Sequence, residues 1–473
     1  MTIERLTAED RVMLRGDEVW PQDIGALAVL DGRNLLDPTG RFWIEAARVA
    51  VEARLHLVPR FRQIIHTPCR GLGGPAWVDA PHFDLGEHVR VHQLASPADE
   101  AELLRAVEHL RRRRLDPSRP LWEMWFMPGL PEGRIGLFLR LHHTIADGMA
   151  ALTTVGAFLD EVPDAAVTPA KPWTSARLPP PHAFLADNAL RHLKAIAGAF
   201  ATVARPGRTL WRVRAALPAM RELLAGEPAP KTSLDRIVGP GRNIALVRSR
   251  LGLVEEISHA HGATVNDVLL MAIAGGLRRL LLSRGEPVDG LAVRIYVPIS
   301  LRRGQRGALE GNLISQMVVP LRLSVSDPAL RLQQIAAETA VRKARSRTSL
   351  GTIFRSPVAS RLMLKAIVRQ RVNVESADLP GPEAPLYFAG ARLLEVFPLL
   401  NLIGNVALGV GALSYAGTFN IGVVADRDAY PDLDVLAAGV RDELDTLAAL
   451  TRDASGPGHP ARTSHPERGL PGH

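Results

Sequence analysis

The residues best placed to do chemistry in this chain are two adjacent histidines and the short loop after them, His142-His143-Thr-Ile-Ala-Asp147-Gly148. Imidazole has an ordinary pKa of about 6.5, which makes histidine the usual proton carrier near neutrality. The segment Leu137-Phe-Leu-Arg-Leu141 before the pair reads as a strand, and residues 149–159 after it read as a helix. Strand neighbours point to opposite faces. His142 and His143 are therefore expected to serve different ends, one facing the reacting atoms and the other giving support. The same divergence argues against a metal site built from His142, His143 and Asp147. Asp147 is expected to hold the loop through an arginine or through backbone N–H groups. Gly148 permits a backbone angle or a close approach that a side chain would forbid. From these seven residues alone, a histidine pair that is merely hydrogen-bonded at a strand end stays open beside the catalytic reading.

The elements around the pair fall into two mixed units. Residues 1–160 carry a strand near 27–30, helices near 41–55 and 100–113, and a strand at 122–127 that pairs as a hairpin with the histidine strand. Residues 161–235 form a Pro-rich linker. Within it, 188–221 contains no acidic residue but has Arg191, Lys194, Arg205, Arg208, Arg212, Arg214 and Arg221. Leu190, Leu193, Ile196, Ala197, Phe200 and Val203 recur there at helical spacing. This pattern reads either as a cationic amphipathic helix for a membrane or lipid-droplet surface, or as a crossover packed on its own protein. Residues 236–452 form the second unit. Thr264 caps a helix over 265–283 and places Asn266 and Asp267 in its first turn. Strands follow near 293–298, 311–320 and 373–379, with helices near 327–343 and 432–450. Residues 453–473 read as a disordered tail.

Bulk properties narrow the classes. Of 473 residues, 47% are hydrophobic and 22% charged, the balance of a globular protein. Cys69 is the single cysteine, so the chain has no internal disulfide framework, and a reducing, cytoplasmic compartment fits. The first ten residues lack the apolar core of a signal peptide. The uncharged stretch 396–425 is long enough to cross a bilayer, but Pro398, Asn401, Asn405, Asn420 and several glycines make it read as buried sheet. The net charge of +8 suits anionic lipid or a polyphosphate-bearing co-substrate. With 5% aromatic residues and no recognisable module, nucleic acid is not an expected partner.

Several chemistries are excluded by missing motifs. There is no Gly-x-Ser-x-Gly elbow, no Gly-Lys dipeptide and hence no P-loop, no paired Cys/His zinc pattern, and no dinucleotide fingerprint. What remains is a histidine base without a protein nucleophile. That favours direct attack by an acceptor hydroxyl, amine or thiol on an activated donor.

The heptapeptide matches the His-His-x-x-x-Asp-Gly motif of the coenzyme A-dependent acyltransferase superfamily, and the whole chain resembles the bacterial wax ester synthase/acyl-CoA:diacylglycerol acyltransferase family. The resemblance runs from about residue 6 to residue 450. It rests on Pro59-Arg-Phe-Arg-Gln63, Pro75-Ala-Trp-Val78, Phe83-Asp-Leu85, residues 115–123, Thr232-Ser-Leu234, Gly239-Pro-Gly-Arg242 and Val265-Asn-Asp267. It continues through Val297-Pro-Ile-Ser-Leu-Arg302, Gly311-Asn312, Pro380-Gly-Pro382 and Pro385-Leu-Tyr-Phe-Ala-Gly-Ala-Arg392.

This resemblance implies an α/β (α+β) fold of two chloramphenicol-acetyltransferase-like halves. Each half is a mixed sheet with helices, a long helical crossover joins them, and a channel runs between. Acyl-CoA is implied as co-substrate with no resident cofactor, and diacylglycerol or a long-chain alcohol as acceptor. The site is expected at the inner membrane face or a lipid droplet. His143 matches the catalytic histidine and would deprotonate the acceptor hydroxyl, with His142 in support. Asp147 matches the structural aspartate, with Arg302 as a candidate partner. Asn266 matches the asparagine of the family's Asn-Asp pair. Its amide either donates to the developing oxyanion or a substrate oxygen, or serves first-turn capping. Arg111-Arg-Arg-Arg114 reads either as a contact for coenzyme A phosphates or as a solvated helix end.

Two departures stand out. Pro21-Gln-Asp-Ile-Gly25 replaces the family's Pro-Met-His-Val-Gly. Before the Pro-Gly-Pro turn, where the family shows apolar residues, then Ser/Thr and Asn, this chain has Glu375-Ser-Ala-Asp378. Two added carboxylates near the expected channel bear on the identity of the acceptor rather than on acyl transfer itself. The alternatives are an acyltransferase acting on another alcohol or amine, such as a secondary metabolite, and a weakly active lipid-binding or droplet-coating protein.

Overall fold

The computed structural model describes residues 3–146, 148–166, 169–203, 231–300, 314–345 and 372–454. The first half is built on a six-stranded sheet. Its strands are β2 (Asp23–Asp31), β5 (Val89–Val91), β6 (Trp122–Pro128), β7 (Arg134–His142), β12 (Tyr387–Phe388) and β13 (Ala391–Leu399). They are ordered β12-β13-β2-β7-β6-β5. β6 and β7 pair antiparallel as the expected hairpin. A small sheet of β1 (Glu4–Arg5), β4 (Ala76–Asp79) and β3 (Gln63–His66) lies beside it.

β7 is buried along nearly its whole length. Leu137, Leu139 and Leu141 pack on one face with Ala47, Ala50 and Val51 of helix α2 (Ile44–Arg54). Phe138 packs on the other face with Leu103, Val107 and Leu110 of α3 (Glu100–Arg112). Burial on both faces explains why the histidine strand is a nearly continuous apolar run rather than an alternating one. α1 (Ala8–Gly16) precedes the sheet, with a capping box between Thr7 and Asp10. α4 (Gly148–Gly156) follows the histidine loop.

The second half holds β8 (Arg242–Arg250), β9 (Ala292–Ser300), β10 (Ile314–Arg322), β11 (Val372–Pro380), β14 (Leu408–Tyr415) and β15 (Thr418–Asp426). Their order is β10-β9-β11-β14-β15-β8, with β11 parallel to both neighbours. Helices α6 (Leu251–Ala260), α7 (Val265–Ser283), α8 (Pro328–Arg345) and α9 (Leu433–Ala454) pack with this sheet into the main core. α7 is buried almost all round. Gly276 is where α9 presses against it, since a Cβ there would lie 2.8 Å from the Leu436 carbonyl oxygen and the Val440 side chain.

The two mixed-sheet halves agree with the expected fold class. The stretch 396–425 is sheet, in β13, β14 and β15. No helix among the described residues is long and apolar enough to cross a membrane.

The expected boundary of the second half at 236–452 needs correction. Residues 387–399 leave that half, and β13 pairs antiparallel with β2 in the first sheet. The strand also lies across β14 and β15, whose glycines leave room for it. A Cβ on Gly422 would fall 2.2 Å from the Pro398 carbonyl oxygen, and one on Gly411 3.0 Å from it. Tyr415 ties the excursion down, accepting from the Leu386 N–H at 2.8 Å and donating to the Leu393 carbonyl at 2.9 Å.

The crossover helix also starts earlier than the charge pattern suggested. α5 spans Pro181–Val203 and docks through buried Phe184, with Asp187 paired to Arg5 at 2.8 Å. Residues 204–230 and 455–473 lie outside the described residues. The helix α9 occupies 453–454, where the tail was expected to begin.

Candidate active site

β7 ends on His142, which sits opposite Asp23 in the β2–β7 register. His143 is the first residue of the turn beyond, and its backbone N–H donates to the Gln22 carbonyl at 2.8 Å. His142 is buried, at 2% exposure, whereas His143 keeps accessible surface. His142 Nδ1 accepts from the Thr144 backbone N–H at 3.2 Å and contacts the Thr144 hydroxyl at 2.8 Å. An acceptor Nδ1 leaves the ring proton on Nε2, which faces Asp17 Oδ1 at 3.5 Å. Burial alone would push the Asp17 carboxyl up, but hydrogen bonding from His142 and from the Gln22 N–H outweighs it and holds the group below its ordinary value. His142, Thr144, Asp17 and Gln22 thus make one set of contacts that fixes the turn bearing His143.

Asp17 and Thr144 were not singled out from the sequence. Thr144 lies inside the motif and was available as a signal. Asp17 had none, because only the fold brings the C-terminal cap of α1 within 3.5 Å of His142.

Asp147, Arg302, Gly311 and Asn312 lie outside the described residues, and Gly148 opens α4. No cluster of three or more His, Cys, Asp or Glu able to hold a metal ion occurs among the described residues. Asn266 lies in the first turn of α7. Capping there belongs to its neighbours: Thr264 accepts from the Asp267 N–H, and the Asp267 carboxylate accepts from the Thr264 N–H at 2.9 Å and from the Thr339 hydroxyl at 2.7 Å. The half-buried Asn266 amide has no hydrogen-bond partner among the described residues, so its first-turn position is not explained by capping.

Both departures from the expected pattern acquire a physical setting. Gln22 holds His143 through its carbonyl, and Gln22 Oε1 accepts from the Asn401 amide at 3.3 Å. Asp23 is buried between Arg111 at 3.7 Å and Arg140 at 3.9 Å. Arg140 in turn donates to Glu123 at 2.7 Å.

Glu375 stands opposite Tyr296 of β9 and Gly409 of β14, in the middle of the second sheet. Val374 and Ser376 are fully buried on one face of β11. Glu375 therefore shares the opposite face with Leu379, which packs with the first-half core. Glu375 is half-buried there, and burial pushes its carboxyl up to about 7. Asp378, on the other face, is pushed up by burial to about 6, with Lys343 opposing the rise.

Comparisons with known proteins bear on what this arrangement serves. Residues 6–269 match the family model for the wax ester synthase/diacylglycerol acyltransferase catalytic domain, and residues 310–448 match that for the WS/DGAT C-terminal domain. A Mycobacterium tuberculosis protein named as a probable diacylglycerol O-acyltransferase is 30% identical over 465 residues, covering 95% of this chain and 97% of its own. A second protein from that organism, named as a putative diacylglycerol O-acyltransferase, is 32% identical over 482 residues, covering 96% of this chain and 99% of its own. Among solved structures, the wax ester synthase/diacylglycerol acyltransferase of Marinobacter aquaeolei matches with a TM-score of 0.68 at 23% identity, over 95% of this chain and 100% of that one. A starter condensation domain of rhizomide synthetase, solved in complex with C8-CoA, matches with a TM-score of 0.58 at 17% identity, over 96% of each chain. At these identities the two structures establish a shared fold.

Proposed function

The chain belongs to the wax ester synthase/diacylglycerol acyltransferase family, and from that premise we propose that it transfers a long-chain acyl group from acyl-CoA to diacylglycerol or a long-chain alcohol, with His143 as general base. A ring nitrogen of His143 takes the acceptor hydroxyl proton as that oxygen attacks the thioester carbonyl carbon. The new C–O bond forms, the C–S bond breaks, and the departing sulfur recovers the proton from the imidazolium. The products are an ester and free coenzyme A. Acyl-CoA is a co-substrate in this reading, and no resident cofactor is required. Asn266 would donate its amide N–H to the carbonyl oxygen as charge develops. Asp147 would hold the loop, and Gly148 would allow close approach at the start of α4.

The observation that carries the assignment is the unequal setting of the two histidines. His142 is buried with its ring nitrogens directed at Thr144 and Asp17, while His143 keeps accessible surface on the turn they fix. The decisive test is acyl-CoA turnover by wild type and His143→Ala, with product analysis by mass spectrometry across diacylglycerol, fatty alcohols and more polar acceptors. Loss of the base should cost on the order of 10²–10⁴-fold. Equal coenzyme A release by both proteins with every acceptor would overturn the mechanism.

Glu375 and Asp378 favour a second reading of the acceptor. Protonatable carboxyls inside the second sheet suit an acceptor with an additional hydroxyl or amine better than a plain alkyl chain. We also infer a peripheral site of action, within the linker 161–235. α5 turns Leu185, Leu190, Leu193 and Ile196 outward, each more than half exposed. An apolar helix face of this kind fits a lipid surface that carries both acceptor and product.

A further inference from the structure

A cavity of about 370 Å³ opens where the two halves meet, beside the histidine turn. Arg111, Arg112 and Arg114 line it from the end of α3, and Arg242 lines it from the start of β8. Trp20 and Asp23 form the wall towards the histidines. Gln22, between Pro21 and Asp23, is the residue whose carbonyl accepts from His143.

The lining carries excess positive charge. Its one carboxylate, Asp23, is shared between Arg111 and Arg140. Glu108, behind the wall, is shared between Arg112 at 2.6 Å and Arg427 at 2.8 Å. Arg114 donates to the Glu18 backbone carbonyl at 2.8 Å and has no carboxylate within ion-pair distance among the described residues. Arg111 is buried, at 7% exposure, and its Nη1 has no hydrogen-bond partner among the described residues. Burial, with the charge of Arg111 adding to it, pushes Arg242 down to about 10. Among the described residues Arg242 reaches a carboxylate only in Asp426, at 4.0 Å, so the positive charge of the lining is only partly balanced. A guanidinium fork is also the protein group best matched to phosphate oxygens. Trp20 adds a flat aromatic face, its Nε1 fixed by donation to the Val238 carbonyl at 3.2 Å.

We propose that this cavity is a phosphoanion site that holds the phosphorylated nucleotide end of the acyl-CoA donor. Arg112 and Arg114 would meet the phosphates at the mouth, Arg111 and Arg242 would supply field from below, and Trp20 would face the base. The proposal rests on the acyl-CoA reading above and extends it to a location. The donor would then enter along the wall 20–23 and present its thioester beyond that wall, on the His143 side.

The test uses the full-length protein and two probes. The first is adenosine 3′,5′-bisphosphate, the nucleotide end without a thioester, titrated by calorimetry and by quenching of tryptophan fluorescence. The second is the ratio of kcat/KM for acyl-CoA to that for acyl-pantetheine, which lacks the nucleotide. In Arg112→Ala/Arg114→Ala, two exposed positions, bisphosphate affinity and that ratio should each fall roughly 10- to 100-fold, the worth of one or two charge-assisted hydrogen bonds. Arg112→Lys/Arg114→Lys should recover part of both. The site is overturned if wild type does not bind the bisphosphate, or if the variant loses as much with acyl-pantetheine as with acyl-CoA. It is also overturned if the variant loses affinity for phosphatidylglycerol vesicles while its nucleotide affinity is intact, because the anion would then be a lipid headgroup. Absence of turnover with every acceptor would sink the proposed function but not this site, which the bisphosphate titration decides alone.

Discussion

Glu375→Gln should change the pH dependence of stability in a direction and amount that the fold fixes. The carboxyl sits between Tyr296 on one neighbouring strand and Gly409 on the other, and burial pushes it up to about 7 from an ordinary 4.5. The same burial, with the Glu375 charge adding to it, raises the Tyr296 phenol, so this tyrosine offers Glu375 no compensating charge. Between pH 4.5 and 7 the folded protein keeps a proton that the unfolded chain has released. Folding stability therefore falls as pH rises through that window, and the loss is complete above about 7. At about 1.4 kcal/mol per pH unit the full loss is on the order of 3 kcal/mol. Glutamine has the same shape and no proton to lose. Relative to wild type, the variant should therefore be near neutral at pH 5 and more stable by up to about 3 kcal/mol at pH 8. Asp378 titrates in the same sense in both proteins, so the difference between them isolates Glu375. Urea denaturation at the two pH values, read as the shift in midpoint, measures it. A midpoint difference that is the same at pH 5 and pH 8 would mean that Glu375 is hydrated, and the argument that it lines the protein interior would fail.

Three further outcomes follow from particular contacts. Asp17→Ala removes the carboxylate that faces His142 Nε2, so it should lower kcat with little change in the acyl-CoA KM; unchanged kcat would show that the turn does not depend on this contact. Tyr415→Phe leaves the Leu386 N–H and Leu393 carbonyl without their shared partner and should cost about 1–3 kcal/mol in urea denaturation. Gly422→Ala places a methyl group against the Pro398 backbone and should destabilise by at least about 1–3 kcal/mol, as overpacking does, whereas the same change at solvent-open Gly252 should not. Replacing Leu185, Leu193 and Ile196 with glutamate should abolish sedimentation with lipid vesicles while far-UV circular dichroism is retained; retained sedimentation would remove α5 as the docking face.

Much of the fold was legible because local rules are strong at particular places. Thr264 followed by Asp267 and a long apolar run specifies a helix start, and α7 begins at Val265 as read. The glycine- and proline-broken run after Val396 cannot be a bilayer helix, and it forms sheet. The hairpin of β6 and β7 was visible in its two apolar runs and the turn residues between them. What misled was adjacency in sequence. Residues 387–399 follow β11 directly yet belong to the other sheet, because β13 finds its hydrogen-bond partners on β2 and its packing surface on the glycines of β14 and β15.

The site divides along the same line. The sequence by itself determined the chemistry on offer: a histidine pair at a strand end, none of the common nucleophile motifs, and a motif order that points to acyl transfer. Those features depend on residue type and short-range spacing, which a sequence states outright. The tertiary structure alone decided the environments. It buried His142 against Thr144 and Asp17, relieved Asn266 of capping, pushed the Glu375 carboxyl up, and gathered Arg111, Arg112, Arg114 and Arg242 around one cavity. Arg111 and Arg242 are far apart in the chain, and neither carries a local mark of the other. Desolvation and charge proximity are sums over whatever the fold brings near, so no window of sequence contains them.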